Sequence, residues 1–420
     1  MRILILGSGA REHAIALALA REAAGHELLV APGNAGIAAV ARTVPVDPSD
    51  GAAVSSLALE EAVDLVVVGP EAPLIAGVAD AVRERGIPVF GPDRAAARLE
   101  GSKAFAKRIM AEAGVPTGRA TDVLTAADLD GALDAGGAPY VVKADGLAAG
   151  KGVLVTADRD AARAHALAWL ERGPVLVEQF LAGREASLFF VSDGDRAVPL
   201  SPAQDYKRIG DGDTGGNTGG MGAFSPLPWL DAAFGGEAAF VDHVRATIAE
   251  PVLRRLAAQG SPFVGLLYCG LVVEDRDVRV IEFNVRFGDP ETQVVLPRLA
   301  TPLSELLAAA ASGTLDAVEP LRFSDEAAVG VVLASEGYPG EPAVGRLITG
   351  IDEADALDGV HVVHAATDRA GDGLRSSGGR VLTVVGVGGS VPEARARAYA
   401  GVERIHLPGA RWRTDIAERE

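Results

Sequence analysis

Glu282, Asn284 and Arg286 occupy alternate positions in the string IEFNVRFG, residues 281–288. On a strand that spacing turns a carboxylate, an amide and a guanidinium to one face, and Ile281, Phe283 and Val285 to the other. The carboxylate and the amide oxygen are hard donors suited to Mg²⁺, with ATP phosphate oxygens and water completing its shell. Arg286 would then steady a phosphate or a carboxylate. A solvated strand face is the alternative, but the alternating apolar residues argue against it. Asp289 and Glu291 extend the polar cluster.

The other stretch that could do chemistry is YVVKADGLAAGKGVLV, residues 140–155. An apolar strand reaches Lys143, a small-residue loop carries Gly146, Gly150, Lys151 and Gly152, and a second strand leaves it. Glycine lets backbone N–H groups close on an anion, and lysines supply point charges for phosphate oxygens. A P-loop would need four residues between the glycines, a hydroxyl at 152 and a following helix. The chain has three residues there, then Gly152, then Val153-Leu154-Val155. The stretch reads as a glycine-rich flap between antiparallel strands, closing over a nucleotide. A plain hairpin loop is the alternative.

Two further segments fit a nucleotide and its co-substrates. The strand 175–177 runs into Glu178, Gln179, Phe180 and Leu181, a pattern suited to reading an adenine edge by backbone groups. Residues 204–222, QDYKRIGDGDTGGNTGGMG, hold too many glycines for an element and too many charges for a linker. Asp205, Lys207, Arg208, Asp211 and Asp213 interleave with those glycines, so the segment reads as an ordered substrate loop, against a null of disorder.

These segments need elements to carry them. Residues 1–100 alternate strands (2–6, 27–31, 65–68, 87–90) with helices (10–24, 76–85), which implies an open, doubly wound parallel sheet. The first turn, Gly7-Ser8-Gly9-Ala10-Arg11-Glu12, begins like a dinucleotide fingerprint, but Glu12 replaces the third glycine, so NAD is not expected. A helix start behind two glycines still suits a single phosphate. Matching turns follow two other strands, Pro32-Gly33-Asn34 and Gly69-Pro70-Glu71. Glu71 either accepts from sugar hydroxyls or stabilises a helix start. Ser102 caps a helix over 104–113 that Gly114 ends. Strands at 328–334, 360–365 and 380–387 and a helix at 391–405 build a closing α/β domain without a catalytic constellation. The domain plan is 1–100, 101–326 (with a small flap subdomain at about 116–190) and 327–420.

Composition narrows the function classes. The net charge of −18 argues against broad nucleic-acid or acidic-membrane binding. The single cysteine, Cys269, excludes an internal disulfide, sits in an apolar run, and reads as core rather than nucleophile. No apolar run approaches membrane-spanning length and the first one is too short for a signal peptide, so a cytoplasmic protein is expected. Only five lysines occur (Lys103, Lys107, Lys143, Lys151 and Lys207), and arginine fills the other basic positions. A lysine kept against that default is expected to be needed as an ammonium.

Taken together, the chain resembles the phosphoribosylamine–glycine ligase (glycinamide ribonucleotide synthetase) family of the ATP-grasp superfamily. The matching strings run in order: GSGAREHA (7–14), APGNAGIA (31–38), VVGPEAPL (67–74), LEGSKAF (99–105), VVKADGLAAGKGV (141–153), QDYKRIGDGDTGGNTGGMGA (204–223), IEFNVRFGDPETQ (281–293), SEGYPG (335–340) and WRTDI (412–416). One departure is Val285, where the family often has cysteine.

The resemblance implies an ATP-grasp core and ligation of glycine to 5-phosphoribosylamine through glycyl phosphate, in purine synthesis. It implies that Lys103, Lys143 and the flap hold ATP phosphates, that Glu178 to Leu181 with Glu185 hold adenine and ribose, and that Glu282 and Asn284 hold Mg²⁺ or Mn²⁺. Arg286, Lys207 and Asp211 would act in catalysis. Gly7, Ser8, Gly9, Arg11, Glu12, Pro32, Gly33, Asn34 and Glu71 would hold the ribose phosphate and glycine. So would Asp205, Arg208, Asp213, Thr218, Gly219, Gly220, Gly288, Asp289 and Glu291. A monomer is the family expectation. Two rivals stand beside it. One is another ATP-grasp carboxylate–amine ligase, which the 204–222 loop argues against. The other is a non-catalytic nucleotide binder, which the complete Lys, Glu and Asn set argues against.

Overall fold

The structure, a computed structural model, describes residues 1–147, 152–371 and 373–420. Its first layer follows from apolar runs with no polar face. Ile3, Leu4, Ile5 and Leu6 have no exposed surface, which suits a parallel strand covered on both sides. The strand Arg2–Gly7 pairs in parallel with Glu27–Pro32 and Leu65–Val68, and Arg42–Thr43 and Val89–Phe90 complete the five-stranded sheet. This is the expected doubly wound sheet. The helix expected over 76–85 is instead two, Glu71–Ala76 and Val78–Arg83, because Gly77 takes φ +89 between them. That left-handed backbone ends one helix and restarts the next. The first helix stops at Ala20 rather than 24.

Two antiparallel sheets form the middle of the molecule. The small one orders Ala120–Val123, Val175–Glu178, Tyr140–Ala144 and Val153–Thr156 side by side. Helices Ala126–Gly136 and Arg159–Leu170 give it a separate core around Leu129, Leu133, Val142 and Val177. The larger sheet holds Ala197–Pro199, Arg184–Asp193, Val264–Glu274 and Asp277–Asn284. The strand expected over 278–288 ends at Asn284 because the next N–H, that of Val285, leaves the ladder for Glu100 Oε2 at 2.8 Å. The helix Lys103–Ala113 joins the layers, with Ser102 Oγ accepting from Phe105 N and Gly114 at φ +68 as its cap.

The third sheet crosses the expected domain plan. Its order is Gln204–Asp205, Gly222–Ser225, Ala327–Ala334, Arg380–Gly388, Val360–His364, so two strands flanking the glycine-rich segment pair into the C-terminal layer. The segment itself, too glycine-rich to suggest an element, forms a hairpin of Arg208–Gly210 and Thr214–Asn217. The last helix is Val391–Val402, packed on that sheet. No helix among the described residues is long and apolar enough to cross a membrane.

Candidate active site

The two antiparallel sheets face each other across a cleft with two connected chambers, of about 210 and about 960 Å³. Lys143, Glu178, Asp205, Lys207, Thr218 and Glu282 line both. Glu282 and Asn284, on the strand Asp277–Asn284, line the inner chamber, and Arg286 follows them there although the strand has ended; Ile281 and Phe283 line it too, after a register shift at Ile281.

Cations converge on Glu282. Burial opposes its charge, but Lys207, Lys143, Lys103 and Arg286 outweigh burial and hold its carboxyl below the ordinary range. Each lysine is anchored by main-chain or carboxylate oxygens. Lys143 Nζ donates to Ile281 O at 3.1 Å and pairs with Glu178 at 3.0 Å. Lys103 Nζ donates to Gly146 O at 3.0 Å, and its backbone N–H donates to Asp145 Oδ1 at 2.6 Å. Lys207 pairs with Glu185 at 2.6 Å and lies 3.7 Å from Asp205. Burial works against the Lys207 ammonium, yet Asp205 and Glu185 hold its pKa well above the usual value. Burial pushes the Asp205 carboxyl up to about 7, with Lys207 opposing and Glu291, Glu185 and Glu282 adding.

Arg286 closes the inner end. Its Nε reaches Glu71 Oε2 at 3.3 Å and its Nη2 reaches Glu100 Oε1 at 3.1 Å. Burial would weaken that guanidinium, but Glu100 and Glu71 hold its pKa above the ordinary value. The Glu71 carboxyl is lowered, since Arg286 and Arg11 overcome its burial. Glu71 therefore both starts the helix Glu71–Ala76 and faces the cavity.

The remaining expected residues are spread over both chambers, the turns beside them and the flap. Thr218, Gly219, Asp289 and Glu291 line the inner chamber. Gly220 packs against Pro290 and Gly288 against Glu291, each too closely for a side chain. Gln179, Phe180 and Leu181 line the outer chamber, as do Arg208, Asp211 and Asp213 on the opposite wall. Both Asp211 oxygens are held by Thr414, and Asp213 pairs with Arg413 at 2.7 Å.

The N-terminal turns sit beside Arg11 and are internally bonded. Glu12 Oε2 accepts the Gly9 N–H at 2.6 Å and Glu12 Oε1 pairs with Arg11, whose Nη1 donates to Phe287 O at 3.0 Å. Gly33 N donates to Gly7 O, Asn34 Nδ2 donates to Ser8 O, His364 O and Ala365 O, and Pro32 precedes them in the turn. The flap residues Gly150 and Lys151 lie outside the described residues; Gly146 and Gly152 line the inner chamber.

Sequence reasoning missed several groups that the fold brings here. Lys107 pairs with Glu178 at 3.1 Å and bonds Thr117 Oγ1 and Gly118 O. Its signal was present: it is one of five lysines and lies four residues after Lys103, on the same helix face. Tyr268 OH donates to Glu291 Oε1 at 2.8 Å, and Glu100 holds Arg286. Nothing local marks Tyr268, and Glu100 lies in the string LEGSKAF without a chemical signal of its own. Cys269 is fully buried with its thiol pushed up by burial, as its apolar setting suggested.

The donor set fits a nucleotide-borne cation. Glu282 and Asn284 offer two hard oxygens, and among the described residues no group of three or more His, Cys, Asp or Glu side chains is arranged to hold a metal ion. A Mg²⁺ that arrives with phosphate oxygens and water needs only such a partial protein set.

Comparison with known proteins agrees with this geometry. Family models of phosphoribosylglycinamide synthetase match residues 1–100 (N domain), 101–292 (ATP-grasp, or A, domain) and 328–419 (C domain). A phosphoribosylamine–glycine ligase of Leifsonia xyli subsp. xyli is 61% identical over 422 residues, covering 100% of both chains. One of Streptomyces coelicolor is 59% identical over 421 residues, covering 100% of this chain and 99% of the relative. The crystal structure of a Thermotoga maritima phosphoribosylamine–glycine ligase superposes with a TM-score of 0.84 at 34% identity, covering 99% of this chain and 100% of that one. With the three family models in order along it and a cleft that concentrates lysines on a carboxylate–amide pair, the chain belongs to the phosphoribosylamine–glycine ligase family of ATP-grasp enzymes.

Proposed function

We propose that the reaction runs through glycyl phosphate, formed and consumed inside the inner chamber. The chain is an ATP-dependent C–N ligase of purine biosynthesis: it joins glycine to 5-phosphoribosylamine, giving glycinamide ribonucleotide, ADP and phosphate. A glycine carboxylate oxygen attacks the γ-phosphorus and ADP leaves with the bridging electron pair. The amine nitrogen then attacks the acyl carbon, the C–O bond breaks, phosphate departs, and the nitrogen loses a proton. The enzyme needs no covalent nucleophile, so positioning and charge neutralisation carry the catalysis.

The observation that supports this best is the convergence of Lys103, Lys143 and Lys207 on Glu282 in one cleft. Lys103 and Lys143 would hold ATP phosphates, and Lys207 and Arg286 would face the transferred phosphoryl group and the glycine carboxylate. Glu282 and Asn284 would hold Mg²⁺ or Mn²⁺, which would supply neutralisation of phosphate charge. The backbone at Gln179 to Leu181 would read adenine, and Glu185 the ribose. The N-terminal turns with Arg11, Glu71 and Asp289 would receive phosphoribosylamine. A cytoplasmic monomer is the proposed working unit. The test uses glycine labelled with ¹⁸O in its carboxylate. Label should appear in the released phosphate, and ADP should form only with both co-substrates. Unlabelled phosphate would sink the acyl phosphate, and ADP release without phosphoribosylamine would sink the coupling.

A further inference from the structure

One of the points at which the C-terminal layer reaches the cleft is a buried arginine. Arg413 is 1% exposed, and its guanidinium stacks on the Tyr206 ring at 4.8 Å while Nη1 donates to Arg208 O at 3.3 Å. It thus touches the residues immediately before and after Lys207. The same Nη1 donates to Asp213 Oδ1 at 2.7 Å, and Nε and Nη2 donate to Asp415 at 2.7 and 2.6 Å. Asp415 in turn accepts the Gly212 N–H at 2.8 Å. Asp213 holds φ +55, a left-handed backbone that Asp adopts more readily than most residues, and its carboxylate is on Arg413. On the cleft side, Thr218 N and Oγ1 both donate to Lys207 O, at 2.8 and 2.9 Å.

We infer that Arg413 is a positioning residue for Lys207: from the wall of the outer chamber it grips Tyr206 and Arg208 and fixes where the Lys207 ammonium stands in the cleft. The inference rests on the role given to Lys207 above. A planar, five-donor guanidinium can bond a carboxylate pair and a carbonyl while stacking on a ring; an ammonium cannot do all of these at once. The C-terminal layer, whose residues 413–415 line the outer chamber, is then part of the catalytic apparatus through the placement of Lys207.

The test is a double-mutant cycle in the full chain, read as kcat and KM for ADP release, with thermal unfolding as the folding control. Arg413→Lys should lower kcat about 10-fold with the KM for ATP nearly unchanged, and Lys207→Arg should lower kcat in its own right. In the Lys207→Arg background, Arg413→Lys should cost less than about 2-fold. Asp213→Asn, which tolerates the left-handed backbone, should show the same coupling with a smaller loss, and serves if Arg413→Lys fails to fold. An equal loss in both backgrounds overturns the inference alone. A Lys207→Arg variant with unchanged kcat overturns the Lys207 reading and this inference with it.

Discussion

His13 Nδ1 accepts the backbone N–H of His364 at 2.8 Å, tying the first helix of the N-terminal sheet to the edge strand of the C-terminal one. An acceptor at Nδ1 must be unprotonated. Burial, then His364, pushes the His13 pKa down to about 3; burial, then Arg369, pushes that of His364 down to about 4. Both lie below the ordinary 6.5, so the unfolded chain binds more protons than the folded one between those limits. Stability is therefore complete above about pH 6.5 and falls as pH drops through 6 towards 4, by at most about 1.4 kcal/mol per pH unit for each histidine. Urea unfolding across this window should show that slope, and His13→Asn, whose Oδ1 can accept the same N–H, should flatten it. A midpoint that does not move between pH 7 and 4.5 would refute the link.

On the ion-holding role proposed for Glu282, Glu282→Gln should reduce ADP release by at least about 100-fold. The carboxylate is not part of the packed core, so the melting temperature should stay within a few degrees. Loss of folded protein under native conditions would count against a functional role.

Glu178 is buried and pairs with both Lys107 and Lys143, at 3.1 and 3.0 Å. Glu178→Gln would leave two ammonium groups in the cleft without their carboxylate. Breaking such buried pairs costs about 3–5 kcal/mol, which denaturant titration would read directly. The KM for ATP should rise as well, because Lys143 would lose the partner that aims it. An unchanged denaturation midpoint would mean that solvent already screens the group.

Gly69 stands where a β-carbon would lie 2.1 Å from Glu12 Oε1 and 2.6 Å from its Cγ. Glu12 is pinned by Gly9 N and Arg11, so it has nowhere to retreat. Gly69→Ala should destabilise the chain by about 1–3 kcal/mol, the range for overpacking a filled site, and should raise the KM for phosphoribosylamine. Wild-type behaviour in both measurements would show that the turn can rearrange.

The strand alternation of Glu282, Asn284 and Arg286 was legible because two-residue periodicity is a local property. So were the parallel sheet, from its all-apolar strands, and the turns that follow them. Glu100 was not legible: it meets Val285 from 185 residues away, and only the fold sets that distance. Arg413 was hidden for another reason. It stands in the string WRTDI, but arginine is this chain's default base, so a buried guanidinium looks like a surface one in the sequence. Lys107 was half-visible, marked by lysine scarcity but lacking a motif. The glycine-rich hairpin was misjudged as too loose for an element because its order comes from residues 413–415, far along the chain.

The pairing of Gly222–Ser225 with Ala327–Ala334 has a consequence in time. A ribosome releases the first strand well before the second, roughly 100 residues or about 5–20 s of synthesis apart. Throughout that interval an apolar strand edge waits open, the kind that invites pairing with another chain. Arg413 emerges later still. The nascent enzyme can therefore build the two antiparallel sheets of its cleft early, while its glycine-rich hairpin stays unset until residues 413–415 are made.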